Sequence, residues 1–280
     1  MTSSTVGVLM PVRAPAPYLN AALLSLAAQT LTNWRLTLVL DGPAPGFAEH
    51  AEHIVGEERL EVLQLTESRG LSVALNRGLA EMRTEYVARL DADDLSAPNR
   101  LERELVHLES RKDVVLVGSH AEIIDDTSEH VGVVRVPAGG DVRKSLLRKN
   151  RFVASSVMFR RLAAIEAGGY NAHCRHAEDY DLWLRMAILG PVENLDETLT
   201  SYRVSNNQVS INPMDALGRG VIRLSRQGLS RHLGRSLWRT DLEHLAWDLW
   251  QRPIARNRRG KMARLRRGQT TTRPEHRETS

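Results

Sequence analysis

The sequence has a single cysteine and no long apolar run. Cys174 has no partner for an intramolecular disulfide and belongs to no thiolate cluster that could hold structural zinc. We therefore expect a protein of a reducing compartment. The amino terminus lacks a charged segment followed by a long apolar stretch, and no run reaches the roughly eighteen apolar residues that span a bilayer. We expect neither export nor a membrane-spanning anchor.

Net charge is small, +4 over 280 residues, but it is unevenly placed. Residues 251–280 carry ten arginines and lysines against two glutamates, so the basic pI is a property of this tail. We predict a catalytic domain over residues 1–210, a helical extension over 211–250 and a basic, disordered tail over 251–280.

Short β-branched or leucine-rich runs alternate with amphipathic stretches in the first half, a pattern typical of βαβ units. The predicted strands are residues 6–10, 36–40, 60–65, 86–90 and 114–118, and the predicted helices are 18–29, 71–82 and one that begins after an N-cap at Ser96. Shorter strands should follow, then helices at 178–189 and within 215–250. The fold class is α/β, with a mostly parallel central sheet flanked by helices and a helical carboxyl-terminal region.

Three carboxylates, those of Asp91, Asp93 and Asp94, directly follow the fourth predicted strand. Ligands of open α/β sheets bind at the carboxyl ends of strands, where Asp41 is also expected. Mg²⁺ or Mn²⁺ would relieve repulsion among these acids and keep sites free for phosphate, as needed to neutralise a diphosphate leaving group. A solvated acid cluster at a helix start explains the pattern equally well on local grounds.

A second acidic segment opens a predicted amphipathic helix at Glu178 and Asp179. One of these carboxylates can remove a proton from an attacking hydroxyl while the other holds the site together. Acids that merely complement the helix dipole are an equally weighted alternative. Trp183 and Leu184, further along this helix, are expected in the core, and His176 is expected at the surface.

Five segments in this order resemble glycosyltransferase family 2, which has the GT-A fold. They are Pro11-Val12, Asp41-Gly42, Gly70-Leu71-Ser72 to Asn76, Asp91-Ala92-Asp93-Asp94 and Glu178-Asp179-Tyr180-Asp181. The resemblance covers roughly residues 6–210. It implies an inverting, metal-assisted transfer of a sugar from a nucleotide-diphosphate sugar, expected to be UDP-linked, to an acceptor hydroxyl in cell-envelope or polysaccharide glycan synthesis.

The resemblance also implies residue roles. Asp179 is the expected general base, supported by Glu178, and Asp91 and Asp93 are the expected ligands of Mg²⁺ or Mn²⁺. The expected nucleotide-sugar contacts are Pro11, Val12, Arg13, Asp41, Arg69, Gly70, Asn76, Asp91 and Arg203. Residues 143–170 are expected to help form the acceptor site.

Two positions depart from the family's pattern. Ser205 stands where many relatives carry a histidine that helps with metal or diphosphate, which puts metal affinity in question, although the neighbouring Arg203 keeps a permanent positive charge suited to phosphate. Ser68 stands where asparagine is common.

Two other functions compete with sugar transfer. A nucleotide-sugar-binding protein without turnover is favoured only by Ser205 and opposed by the retained acids. A nucleotidyltransferase would carry a glycine- and lysine-rich phosphate loop, which residues 10–16 lack.

The expected partners are a nucleotide-sugar donor and a glycan or lipid-linked acceptor, and nucleic acid is not expected. We expect a cytoplasmic protein whose basic tail contacts the inner face of the membrane. An apolar face before the tail would strengthen this membrane contact. It would be formed by Leu237, Trp238, Leu242, Leu245, Trp247, Leu249 and Trp250. A packed helix with a solvated tail is the alternative.

Overall fold

The computed structural model describes residues 6–204 and 216–249, which form a central sheet with helices on both faces. The strands are β1 (Val6–Val12), β2 (Trp34–Leu40), β3 (Leu60–Gln64), β4 (Tyr86–Arg89), β5 (Leu95–Ser96), β6 (Leu116–Ile124), β7 (His130–Val134), β8 (Met158–Arg160) and β9 (Val192–Arg203). The helices are α1 (Leu19–Ala27), α2 (Phe47–Val55), α3 (Leu71–Glu81), α4 (Arg100–Ser110), α5 (Arg143–Leu146), α6 (Arg161–Glu166), α7 (Glu178–Leu189), α8 (Ala216–His232) and α9 (residues 237–249).

The sheet has the strand order β3-β2-β1-β4-β8-β6-β9-β5, with β7 paired to β6. The strands β3, β2, β1 and β4 are all parallel, as the βαβ pattern predicts. Beyond β4 the sheet is mixed, because β8 runs antiparallel to both β4 and β6 while β6 and β9 are parallel. The carboxyl ends of β1, β2 and β4 therefore meet at one edge of the sheet.

Two apolar cores cover the two faces of the sheet. On one face α1 and α4 pack through buried leucines, including Leu101 and Leu108. On the other face Trp183 of α7 lies at the centre, with ring centroids 5.6 Å from Phe159 and 6.3 Å from Tyr170. The prediction that Trp183 and Leu184 belong to the core is confirmed.

The predicted start of α4 is wrong. Ser96 does not cap this helix, which begins at Arg100 after Asn99. Instead Ser96 lies in β5, paired with Thr200 of β9, and its hydroxyl accepts a hydrogen bond from Gln29 at 3.1 Å. A strand pairing across about a hundred residues of sequence overrides the local capping signal, as tertiary context commonly does.

Three smaller differences concern element limits and faces. Helix α2 (Phe47–Val55) was not predicted. The fifth predicted strand begins only at Leu116 and continues to Ile124. Leu71 opens the predicted helix 71–82 but is exposed rather than packed on the sheet, because the helix covers the sheet only from Ala74 onward.

The predicted helical extension consists of two helices, α8 and α9, that pack against the core around α7. Ile222, Leu229 and Trp247 belong to the same buried cluster as Trp183. Trp247 is therefore not on an outward apolar face, so the prediction is wrong for this residue. The predicted limits at residues 210 and 250, the tail, Trp250 and Ser205 lie outside the described residues. Within the described part of the chain, no helix is both long and apolar enough to cross a bilayer.

Candidate active site

Asp41 and Asp91 flank the end of β1 at the same edge of the sheet. β1 lies between β2 and β4, parallel to both. The backbone N–H of Asp41 donates to the carbonyl of Val12 at 2.7 Å, and Asp91 follows β4 on the other side. Two strand spacings, or about 10 Å, separate β2 from β4. The expected convergence of strand ends is present, with β1 between the two carboxylates.

The Asp41 carboxylate is buried and holds the loop before α3. Its Oδ1 accepts the N–H of Arg69 at 2.6 Å, and its Oδ2 accepts the N–H of Gly70 at 3.1 Å and the hydroxyl of Ser68 at 2.9 Å. Gly70 has a φ of +91°, a conformation that side chains disfavour. Asp41 therefore fixes the conformation of this loop, and the loop carries the exposed side chain of Arg69.

The remaining residues expected around the nucleotide divide into two groups. Pro11 and Val12 end β1 with buried side chains, whereas Arg13 is exposed just beyond. Asn76 binds the protein itself: its Nδ2 donates to the carbonyl of Tyr170 at 2.7 Å, and its Oδ1 accepts the Tyr170 N–H at 2.8 Å. This paired amide ties α3 to the segment that leads into α7.

The turn after β4 concentrates carboxylates with limited compensation. Arg89 donates from Nη2 to Oδ1 of Asp91 at 3.1 Å, while the Asp91 side chain stays 30% exposed. Burial, followed by the charge of Asp91, raises the pKa of Asp93 to about 6. Asp94 is buried, and its Oδ1 accepts the N–H of Arg203 at 2.8 Å. Burial and the neighbouring acids raise the pKa of Asp94 as well.

This acidic turn suits a divalent cation whose remaining ligands come from phosphate. Burial and the charge of Asp91 raise the pKa of Asp93, and a bound cation would oppose both effects. No three acidic, histidine or cysteine side chains in the described part of the chain are arranged to hold a metal by themselves. Mg²⁺ is commonly bound through one or two carboxylates together with substrate phosphates. Asp91 and Asp93 suit that arrangement.

Arg203 lies beneath the acidic turn with its guanidinium fully buried. Its Nε donates to the carbonyl of Asp93 at 2.9 Å and its Nη2 to the hydroxyl of Ser128 at 3.0 Å, and the guanidinium stands 4.2 Å from the centre of the Tyr18 ring. The contacts seen here fix the backbone of the turn. Arg203 thus contributes positive charge from below rather than from an exposed position.

The start of α7 holds a second group of acids. Burial, with a smaller contribution from Asp179, raises the pKa of Glu178 to about 7. Burial also raises the pKa of Asp179. Its Oδ2 accepts a hydrogen bond from Nδ2 of Asn150 at 3.0 Å. Asp181 is engaged differently, because Arg185 and Ser225 both donate to its carboxylate. Glu178 and Asp179 are therefore the acids of this helix that remain for chemistry.

Arg89 links the two acidic segments, a role that sequence reasoning missed. Its side chain is buried, and besides pairing with Asp91 it acts electrostatically on Glu178 and Asp179, opposing part of the rise that burial causes in the pKa of both. Its Nη1 finds no hydrogen-bond partner among the described residues. A charged residue inside an otherwise apolar strand, two positions before Asp91, was the available signal.

The contact of Asn150 with Asp179 was also not predicted, because no sequence motif indicates it. Asn150 lies 29 residues before Asp179 and reaches that carboxylate only through the fold. It falls within residues 143–170, the segment expected near the acceptor. His176, expected at the surface, is exposed and has a φ of +68°.

The parallel strands, the acidic turn after β4 and the acidic start of α7 together define a glycosyltransferase of the GT-A fold. A crystal structure of S. aureus TarS 1-349 in complex with UDP-GlcNAc is similar, with a TM-score of 0.68 and 14% identity, covering 87% of this chain and 71% of that one. The mannosyltransferase PcManGT from Pyrobaculum calidifontis, in complex with GDP-Man and Mn²⁺, matches with a TM-score of 0.60 and 17% identity over 90% of this chain and 73% of that one. A crystal structure of a longer TarS chain also matches, and that match covers 79% of this chain but 39% of the TarS chain.

The chain belongs to glycosyl transferase family 2, whose family model matches residues 7–167. The amylovoran biosynthesis glycosyltransferase AmsE of Erwinia amylovora is 35% identical over 195 residues, or 69% of this chain and 73% of AmsE. The O-antigen biosynthesis glycosyltransferase WbnJ of Escherichia coli is 28% identical over 205 residues, or 72% of this chain and 80% of WbnJ. The predicted family, enzyme class and fold class are confirmed.

Proposed function

We propose that this glycosyltransferase moves a sugar from a UDP-sugar to an acceptor hydroxyl and inverts the configuration at the anomeric carbon. The observation that carries the proposal is the pair of acidic groups that Arg89 joins at one edge of the sheet. Asp91 and Asp93 form the donor end, and Glu178 and Asp179 form the acceptor end.

At the donor end, Asp91 and Asp93 would hold Mg²⁺ or Mn²⁺ beside the diphosphate. When bound, the metal supplies a Lewis acid that neutralises charge on the leaving group. The exposed Arg13 and Arg69 offer permanent positive charge to the same phosphates. Arg203 adds positive charge from beneath the turn.

Asp41 lies beside the position proposed for the nucleobase, where a carboxylate would accept a ring N–H such as that of uracil. It also holds the loop that carries Arg69 and Gly70. Pro11 and Val12 form the end of β1 against the nucleotide, and Asn76 supports the pocket through its bonds to Tyr170. TarS was crystallised with UDP-GlcNAc and PcManGT with GDP-Man, so GDP is the competing nucleotide.

At the acceptor end, Asp179 removes the proton from the attacking hydroxyl. Burial makes this carboxylate more basic than an exposed aspartate, and the positive charge of Arg89 opposes part of that rise in pKa. Asn150 holds Oδ2 in place, and Glu178 supports the acceptor or Asp179. A base on one side of the sugar and the diphosphate on the other give a single displacement, which inverts the anomeric centre.

We infer a role in polysaccharide or cell-envelope glycan synthesis on a glycan or lipid-linked acceptor, at the cytoplasmic face of the membrane. AmsE and WbnJ are named for amylovoran and O-antigen biosynthesis. The free, buried thiol of Cys174 agrees with a reducing compartment. Retention of both acidic groups argues against a binding protein without turnover.

A panel of UDP-, GDP- and dTDP-sugars tests the proposal, with binding and hydrolysis measured with and without Mn²⁺. We expect metal-dependent binding of the UDP class and its loss in Asp93→Ala. Asp113→Ala, which removes an exposed acid outside the site, should bind as the wild type does. Preference for GDP would change the donor assignment, and failure of every nucleotide sugar to bind would refute the transfer reaction.

A further inference from the structure

Helix α9 has a buried side and an exposed apolar side. The buried side consists of Thr240, His244 and Trp247. The exposed side carries Trp238, Leu242, Leu245 and Leu249, whose side chains are 61%, 57%, 54% and 53% exposed. These four residues recur at i, i+4, i+7 and i+11, so they form one continuous stripe along the helix. We call this set the outer stripe.

The outer stripe is held in a fixed orientation because the buried side of α9 is anchored. Arg226 of α8 is buried, its Nε donates to the Tyr180 hydroxyl at 3.0 Å, and its guanidinium lies 4.5 Å from the centre of the Trp247 ring. Its Nη1 lies 3.3 Å from Nδ1 of His244. These contacts leave the four apolar side chains directed away from the rest of the protein.

All three carboxylates of α9 are paired with arginines. Asp241 pairs with Arg223 at 3.0 Å. The other two pairs are Glu243 with Arg235 at 3.2 Å and Asp248 with Arg219 at 2.9 Å. The negative charge of the helix is thus compensated by the protein itself, which removes a source of repulsion from an anionic surface.

The chain beyond α9 is strongly basic. Between residues 252 and 267 it carries eight arginines and lysines and no acidic residue. Basic segments next to an apolar helix face bind membranes that contain anionic lipid, because the apolar residues enter the interface and the cations attract the headgroups.

We propose that the outer stripe of α9 docks on the surface of a membrane that contains anionic lipid, with residues 252–267 adding electrostatic attraction. A second copy of the chain fits less well, because the stripe covers eleven residue steps, or roughly 17 Å, while helix pairs of this pattern need several heptads. Like-charged tails would also oppose such pairing. Membrane docking goes beyond the transfer reaction, since it needs neither donor nor turnover.

Flotation of the full chain with vesicles tests this surface, using phosphatidylcholine with and without phosphatidylglycerol. We expect binding only with phosphatidylglycerol, and at least about tenfold weaker binding for Leu242→Ser/Leu245→Ser, because two apolar side chains no longer enter the interface. The matched control is Leu217→Ser/Leu224→Ser, which changes two exposed leucines of α8. This control should bind as the wild type does.

Circular dichroism and nucleotide-sugar binding of the same variants show that they are folded, and keep failure of docking distinct from failure of the transfer proposal. Equal vesicle binding by wild type and the stripe variant overturns the proposal, as does equal loss in both double variants. A wild-type dimer in sedimentation velocity that the stripe variant dissociates, without vesicle binding, would assign the stripe to a second copy instead.

Discussion

The two acidic ends of the site are built in different ways. The donor end is local: Asp91 and Asp93 follow β4 directly, and the parallel strands bring them to the edge. The acceptor end depends on distant parts of the chain, because Asn150 holds Asp179 while Arg226 of α8 binds Tyr180, the next residue of α7. Substitutions should therefore affect donor binding and turnover separately, except where one residue serves both ends.

The largest expected effect separates the two ends. Asp179→Asn keeps the shape of the side chain but removes the base, so kcat should fall by about 10²–10⁴-fold. Donor binding should be unchanged, because Asp179 lies at the acceptor end. Steady-state kinetics and donor titration check this, with Asp113→Asn as a surface control. A kcat close to wild type would remove Asp179 from its proposed role.

Arg89 is the residue that should break the separation. Arg89→Met removes the buried cation that favours the ionised forms of Glu178 and Asp179, so their pKa values should rise. We expect about 10²-fold lower kcat/KM, weaker donor binding and a pH–rate profile displaced to higher pH.

Arg160→Met provides the control for Arg89→Met, since Arg160 packs on Tyr86 at the opposite end of β4. It should lower stability without displacing the profile. An undisplaced profile in Arg89→Met would contradict the electrostatic link.

Arg226 sharpens the comparison, because of the two ends of the site it contacts the acceptor end alone. Its Nη2 donates to the carbonyl of Arg148 at 3.0 Å, and its Nε donates to the hydroxyl of Tyr180, so it holds the residue next to Asp179 and the segment that leads to Asn150. Arg226→Met should lower kcat about tenfold through small displacements of the base. The donor Kd should not change. Arg223→Met, one turn earlier on an exposed pair, should be nearly neutral, and an altered donor Kd in Arg226→Met would argue against this role.

The smallest expected effect concerns stability. Burial raises the pKa of Glu178 from 4.5 to about 7 in the folded chain, so the folded state binds this proton more tightly. The contribution of this proton to the free energy of unfolding is fully present below the unfolded pKa of Glu178 and is lost as pH rises through about 7. Glu178→Gln should therefore raise Tm by a few degrees at pH 8 and not at pH 4. Thermal melts at both values check this, and equal shifts would contradict it.

The same contrast explains how much the sequence could predict. The strands β1 to β4, the acidic turn and the start of α7 were predicted because each depends on a local pattern or on an ordered set of motifs, whereas β5 and β9 were not predicted. Ser96 was placed wrongly because its partner in β9 is far away in the sequence. Other features depend on packing that no local pattern encodes. They are the hydrogen bond of Asn150 to Asp179, the burial of Trp247, and the hydrogen bonds of Arg203 and Asn76 to backbone carbonyls.

The most direct test is the donor dissociation constant of two variants, measured by calorimetry in the presence of Mn²⁺. Asp93→Ala should weaken UDP-sugar binding at least about tenfold, because the donor end loses a metal ligand. Asp179→Asn should bind the donor with wild-type affinity. Wild-type affinity in Asp93→Ala, or equal weakening in both variants, would contradict a site divided into a metal-bearing donor end and a base-bearing acceptor end.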